Sequence, residues 1–79
     1  MRRRQVDSSV IESVGYEGGV LEVRFRNGGL YRYRGVPRAT FVALMGAPSK
    51  GRFFNRYVRD AYRAERLVRA GATAGDSLA

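Results

Sequence analysis

Hydrophobic and polar positions change period along this chain, and each period predicts an element. From Val20 to Phe25 they alternate. Leu21, Val23 and Phe25 share one side while Glu22, Arg24 and Arg26 share the other, the period-two pattern of a half-buried strand. Before it, Val10 to Tyr16 is short, rich in β-branched residues and ended by Glu17-Gly18-Gly19, which reads as a first strand and a turn. Leu30 to Arg34 reads as a third strand. A three-residue loop, Asn27 to Gly29, would pair Phe25 with Tyr31 and Val23 with Tyr33. That register keeps the tyrosines with the aliphatic residues, whereas a slip of one would bury arginine.

Beyond Pro37 the period becomes helical. Ala39, Val42 and Ala43, with Phe41, Leu44 and Met45, precede a stop at Gly46. Ala47-Pro48-Ser49 is a sharp connection, and Ser49 is a good N-cap for a second helix running from about Lys50 to the mid-sixties or slightly beyond. Phe54, Val58 and Ala61, with Phe53 and Tyr57 beside them, give that helix an apolar flank. The expected architecture is α+β: a three-stranded antiparallel sheet, in the order β-β-β-α-α, with both helices packed on one face. Residues 1–5 read as a flexible basic arm, 6–69 as the folded domain and 70–79 as a disordered tail. Tyr31 and Tyr33 fall on the core side of the sheet, so their expected role is packing rather than base stacking.

The chain has 79 residues, enough for one domain with a thin core. Fifteen basic residues against seven acidic give a formal charge of +8, and fourteen of the fifteen are arginine. Such an excess favours nucleic acid, an acidic protein or anionic lipid as partner. Arginine also forks onto phosphate and stacks on flat rings better than lysine does. With neither cysteine nor histidine, disulfide and zinc-thiolate frameworks are excluded and the commonest general base is missing. The carboxylates are scattered, without a recognisable metal or acid–base spacing. Gly46 to Gly51 only faintly resembles a phosphate loop, because Arg52-Phe53 follows where a Walker motif needs Lys and Ser or Thr. We therefore expect a protein that is not an enzyme and uses no cofactor or metal. No run approaches the length of a membrane span, and a cytoplasmic location is the default expectation.

Three constellations are candidates for binding. Arg52, Arg56, Arg59, Arg63 and Arg66 recur at offsets of four, three, four and three. On a helix they would form one stripe within an arc of roughly 80°. Like charges at such offsets repel, so the stripe points to a ligand that neutralises it. Ser49 and Lys50, with Gly51 and Arg52, would place amides and cations at a helix start, where anions are favoured. On the sheet, Arg32 and Arg34, with Arg24 and Arg26, would form a basic outer face.

The order and spacing of several segments resemble the KTSC domain, a small module named after the C-terminus of some lysyl-tRNA synthetases that also occurs as a stand-alone bacterial protein. The segments are Val10-Ile11 with Gly15-Tyr16, Leu21 to Phe25, Asn27-Gly28 followed by Tyr31-Arg32-Tyr33, and Val36-Pro37. They continue in Ser49-Lys50-Gly51-Arg52-Phe53-Phe54-Asn55 and Val58-Arg59. The resemblance covers about residues 6–63. It brings no established activity; what it implies is RNA binding, in keeping with attachment to a tRNA-charging enzyme. The combined expectation is a nucleic-acid-binding module, RNA before DNA, held mainly by phosphate contacts. The alternative is a protein–protein interaction module docking on an acidic surface. Neither a small-molecule substrate nor a membrane is expected as partner.

Overall fold

Phe25 and Gly29 close the central hairpin: the Phe25 amide donates to the Gly29 carbonyl at 2.8 Å, and the Gly28 amide donates back to the Phe25 carbonyl at 3.0 Å. The loop is three residues long, as expected, but it is Arg26-Asn27-Gly28, with Gly28 at φ 95°, a conformation that glycine adopts without strain. The register is therefore displaced by two residues from the expected one: Val23 pairs with Tyr31 and Leu21 with Tyr33. A displacement of two preserves the faces, because side chains repeat with period two.

The computed structural model describes residues 3–71. The chain runs β1 (Arg3–Gln5), β2 (Ile11–Glu17), β3 (Val20–Phe25), β4 (Leu30–Arg34), α1 (Arg38–Gly46), α2 (Lys50–Tyr57) and β5 (Arg63–Val68). The strands form one antiparallel sheet in sequence order. The α+β class, the antiparallel sheet and the two helices agree with expectation. The sheet, however, has five strands rather than three.

Both additional strands occupy edges. Arg3–Gln5, expected within a flexible arm, pairs with Ser13 to Gly15. Arg63–Val68, expected within or just beyond the second helix, pairs instead with β4. Each edge of the three-stranded core presents unpaired backbone donors and acceptors, and a neighbouring segment satisfies them whatever its side chains. The expected tail begins at residue 70, and all of it beyond residue 71 lies outside the described residues.

The second helix is correspondingly shorter than expected, ending at Tyr57. Val58 is the C-cap and is fully buried. The amides of both Val58 and Arg59 return to the Phe54 carbonyl, and the chain turns toward the free edge of β4. Ser49 caps the start of α2 as expected, its hydroxyl accepting the Arg52 amide at 3.4 Å.

Both helices lie on one sheet face. Phe41 of α1 stacks on Tyr16 at 4.8 Å, and Phe54 of α2 meets Phe25 and Tyr33 edge-on, each at 5.2 Å. Ile11, Val14, Leu21, Val23, Val36, Leu44 and Val58 are sealed between the layers. At roughly 1.5–3 kcal/mol for each fully buried aliphatic side chain, this small set supplies much of the driving force for folding. Tyr16 closes one end by donating its hydroxyl to the Val36 carbonyl at 2.6 Å.

Candidate functional site

The end of α2 at Tyr57 divides the expected arginine stripe. Arg52 and Arg56 remain one helical turn apart on α2, both exposed, and Arg59 follows in the turn beyond the C-cap. Arg63 and Arg66 belong to β5. Alternation along a strand sends residues three apart to opposite faces. Arg63 pairs with Arg34 on the helix-free face, and Arg66 pairs with Tyr31 on the helix-bearing face. The single stripe of five is thus corrected to a group of three, Arg52, Arg56 and Arg59, with Arg66 across the sheet and Arg63 behind it.

The helix-free face is basic in composition and only partly paired: Arg3, Arg32 and Arg34 hold carboxylates, whereas Arg24 and Arg63 hold none among the described residues. Register places Arg3, Gly15, Glu22, Arg32 and Glu65 in one row across all five strands. Gly15 offers no side chain, so Arg3 reaches over it to Glu22, while Arg32 donates Nε to the same carboxylate at 2.8 Å. Arg34 pairs with Glu65 at 3.2 Å. Burial, and then the nearby Arg24 and Arg32 guanidiniums, lower the pKa of Arg3 from its ordinary value. Arg26 leaves the face entirely and donates to the Ser8 and Val6 carbonyls. Arg32 and Arg34, two of the candidate binding residues, therefore already hold carboxylates.

At the start of α2 the candidate cation Lys50 donates to the Ala47 carbonyl at 3.2 Å, tying the end of α1 to α2. Gly51 serves packing: a Cβ there would stand 3.3 Å from Cγ2 of Val10. The Ser8 to Val10 loop and the Ser49 to Arg52 turn enclose a polar groove of about 380 Å³.

A second groove of about 380 Å³ opens where α2 leaves β5 partly uncovered. Phe25, Tyr31, Tyr33 and Phe54 line it, and Asn55, Arg59 and Asp60 stand among its polar residues. Tyr33 and Phe54 are buried, whereas Phe25 and Tyr31 are half-buried. Phe25 meets Tyr31 edge-on at 5.7 Å, and Tyr31 lies near-parallel to Tyr33 at 6.4 Å. Burial and then neighbouring Tyr31 push the Tyr33 phenol up to about 12, so it remains a protonated donor at neutral pH. Asn55 lines both grooves, which places them on either side of one ridge of α2.

Arg52 and Arg56 stand on α2 and Arg59 in the turn that follows it. Arg52 borders the polar groove and Arg59 the aromatic one, and Arg56 lies 5.6 Å from the centre of the Tyr57 ring. None of the three pairs with a carboxylate among the described residues. Sequence reasoning did not locate the aromatic groove, because it exists only where β5 runs beside β4 with the small Ala64 opposite Tyr33. Among the described residues there is no cluster of metal-ligating side chains, and no helix is long and apolar enough to cross a membrane.

The chain is similar to several known proteins, among them three sequences and one solved structure. An uncharacterised protein of Stutzerimonas stutzeri (strain A1501) is 47% identical over 58 residues, covering 71% of this chain and 82% of its own length. A protein of Tsukamurella paurometabola is 42% identical over 64 residues, covering 78% of this chain and 96% of its own. A lysine–tRNA ligase of Nostoc punctiforme is 35% identical over 63 residues, which is 77% of this chain but 11% of that ligase. The crystal structure of a KTSC domain protein from Yersinia pestis superposes with a TM-score of 0.81 at 38% identity, covering 85% of this chain and 97% of that one. The KTSC domain itself matches residues 7–62, a span that takes in β2 to β4 and both helices and leaves the two edge strands outside. With more than half of its length matched in sequence and its fold shared at this identity, the chain belongs to the KTSC domain family.

Proposed function

We propose that this KTSC domain is a non-enzymatic nucleic-acid-binding module, with RNA favoured over DNA, that holds its partner through phosphate contacts from Arg52, Arg56 and Arg59. One observation carries the reading. Arg52, Arg56 and Arg59 follow one another along α2 and the turn after it, all exposed and without an acidic partner among the described residues, while Arg3, Arg32 and Arg34 of the sheet are matched to Glu22 and Glu65. Exposed arginine without a counter-charge is what a polyanion neutralises, releasing its own condensed counterions. RNA is favoured because the domain is similar to a segment of a ligase whose name specifies tRNA. A chain without cysteine suits the reducing cytoplasm, where such a partner is abundant.

Fluorescence anisotropy of labelled RNA and DNA across a salt series tests the proposal. Three to four phosphates neutralised on a single strand correspond to a log–log slope of roughly −2 to −3. No affinity for any RNA or DNA at low salt would end it.

A second reading has its own observation. Val42 is 56% exposed and Tyr57 51% exposed, and Ala39, Ala43, Phe53 and Tyr62 line a shallow groove near them. An apolar centre beside arginines also fits docking on an acidic protein surface. A pull-down that survives nuclease treatment and is lost in Val42→Asp would favour it.

A further inference from the structure

We infer that the aromatic groove between α2 and β5 receives an unpaired base, making the bound form a single strand rather than a duplex. This rests on the nucleic-acid reading above and specifies its ligand.

Three features converge on that assignment. First, the groove is lined by rings: Tyr33 and Phe54 are buried within it, while Phe25 and Tyr31 are half-buried and keep ring surface accessible. Flat apolar surface of this kind stacks any base, which is why single-strand binders use it without sequence preference. Second, a cation stands in the lining of the groove and another on the same sheet face. Arg59 lines it from the α2 end, and the register places Arg66 opposite Tyr31 on β5. A base seated in the groove leaves a flanking phosphate near Arg59, with Arg66 on the β5 side. Third, the polar residues of the groove carry matching chemistry. The Asn55 amide both donates and accepts, and the Asp60 carboxylate accepts from exocyclic amines while repelling phosphate. The backbone of the strand is thereby directed along Arg59, Arg56 and Arg52, toward the polar groove at the start of α2.

A duplex fits this arrangement poorly. Its bases are already stacked and paired, and none can enter the groove without first being extruded. On the helix-free side of the sheet, three of the arginines, Arg3, Arg32 and Arg34, are committed to carboxylates. Recognition of unpaired nucleotides through stacking is also how RNA is usually read.

The test uses the full chain and three labelled probes of equal length at one low salt concentration: a cytidine-rich single strand, whose bases carry an exocyclic amine, the same strand with abasic sites at every position, and a duplex. The single strand is expected to bind about tenfold or more tightly than either of the others. Tyr31→Leu, which keeps an apolar side chain but removes the ring, should erase that preference while leaving abasic binding unchanged. Circular dichroism and a urea midpoint confirm that the variant is folded. In the unaltered protein, tyrosine fluorescence should be quenched by the single strand and not by the abasic one. Equal affinity for all three probes, with no quenching, would overturn the base-stacking inference and leave phosphate binding standing. Binding to none of them would remove both.

Discussion

Glu22 accepts Nε of Arg32 at 2.8 Å and a guanidinium N–H of Arg3 from the other side, although its side chain is only 6% exposed. A carboxylate taken this far out of water is tolerated because two cations hold it, and Gly15 leaves one of them room to reach it. Removing the anion leaves the two arginines crowded with Arg24 on a face that loses its central negative charge. Glu22→Gln is expected to lower stability by about 1–3 kcal/mol, below the full cost of breaking a deeply buried pair because both arginines are partly solvated. Urea unfolding should show a reduced midpoint at constant slope. Arg3→Ala should cost less, since Arg32 still holds the carboxylate. Equal midpoints for Glu22→Gln and the parent protein would show that the triad contributes nothing.

The corrected path of the chain beyond Tyr57 makes a sharp distinction between Arg59 and Arg63, which a continuous helix would have made equivalent. Arg59→Glu should weaken nucleic-acid binding tenfold or more at low salt, because it places a negative charge at the mouth of the groove. Arg63→Glu, on the helix-free face, should change affinity less than threefold, since it is screened and on the far layer (about a tenfold change is 1.4 kcal/mol). Anisotropy titrations of the two variants side by side decide the matter. Matched losses would mean that the ridge of α2 is not the contact surface.

Tyr33 sets an alkaline limit on stability. An ordinary phenol ionises near pH 10, and burial raises that of Tyr33 to about 12 in the folded chain. Below about pH 10 the group is protonated whether the chain is folded or not, and it is neutral to stability change. Between about 10 and about 12 the unfolded chain gives up the proton while the folded chain keeps it, so folding loses stability as pH rises through that window. Tyr33→Phe keeps the ring and removes the ionisation. Urea midpoints measured near pH 9 and pH 11 should fall less in this variant than in the parent protein; identical falls would show that Tyr33 is not responsible.

The legible parts of this molecule are those set by neighbours in sequence. Leu21, Val23 and Phe25 alternate with Glu22 and Arg24, and the faces so assigned are the faces observed. Even with the hairpin register displaced by two residues, the paired strand residues stay on their expected sides, and only Arg26, drawn into the loop, leaves its face. Ser49 capped α2, and Phe54 and Val58 entered the core. The path beyond Tyr57 departs from the expected helix for a definite reason. Arg63, Ala64, Glu65, Arg66 and Leu67 are all good helix formers, and nothing among them signals a strand. On a continuous helix, the repulsion within a row of five arginines calls for a ligand that neutralises it. In the structure that repulsion is relieved by the fold itself, which places Arg63 and Arg66 on opposite faces of β5.

By itself, then, the amino-acid order determined the periodicities: which residues turn inward, where α1 and α2 begin, and that the protein carries far more positive than negative charge. Tertiary structure alone decided which guanidiniums are matched and which are left unmatched. Edge strands form because the backbone of β2 and β4 requires hydrogen-bond partners, a demand indifferent to side-chain pattern and therefore invisible in it. Those two edge strands bring Arg3 to Glu22 and Glu65 to Arg34, and they open the aromatic groove beside Arg59.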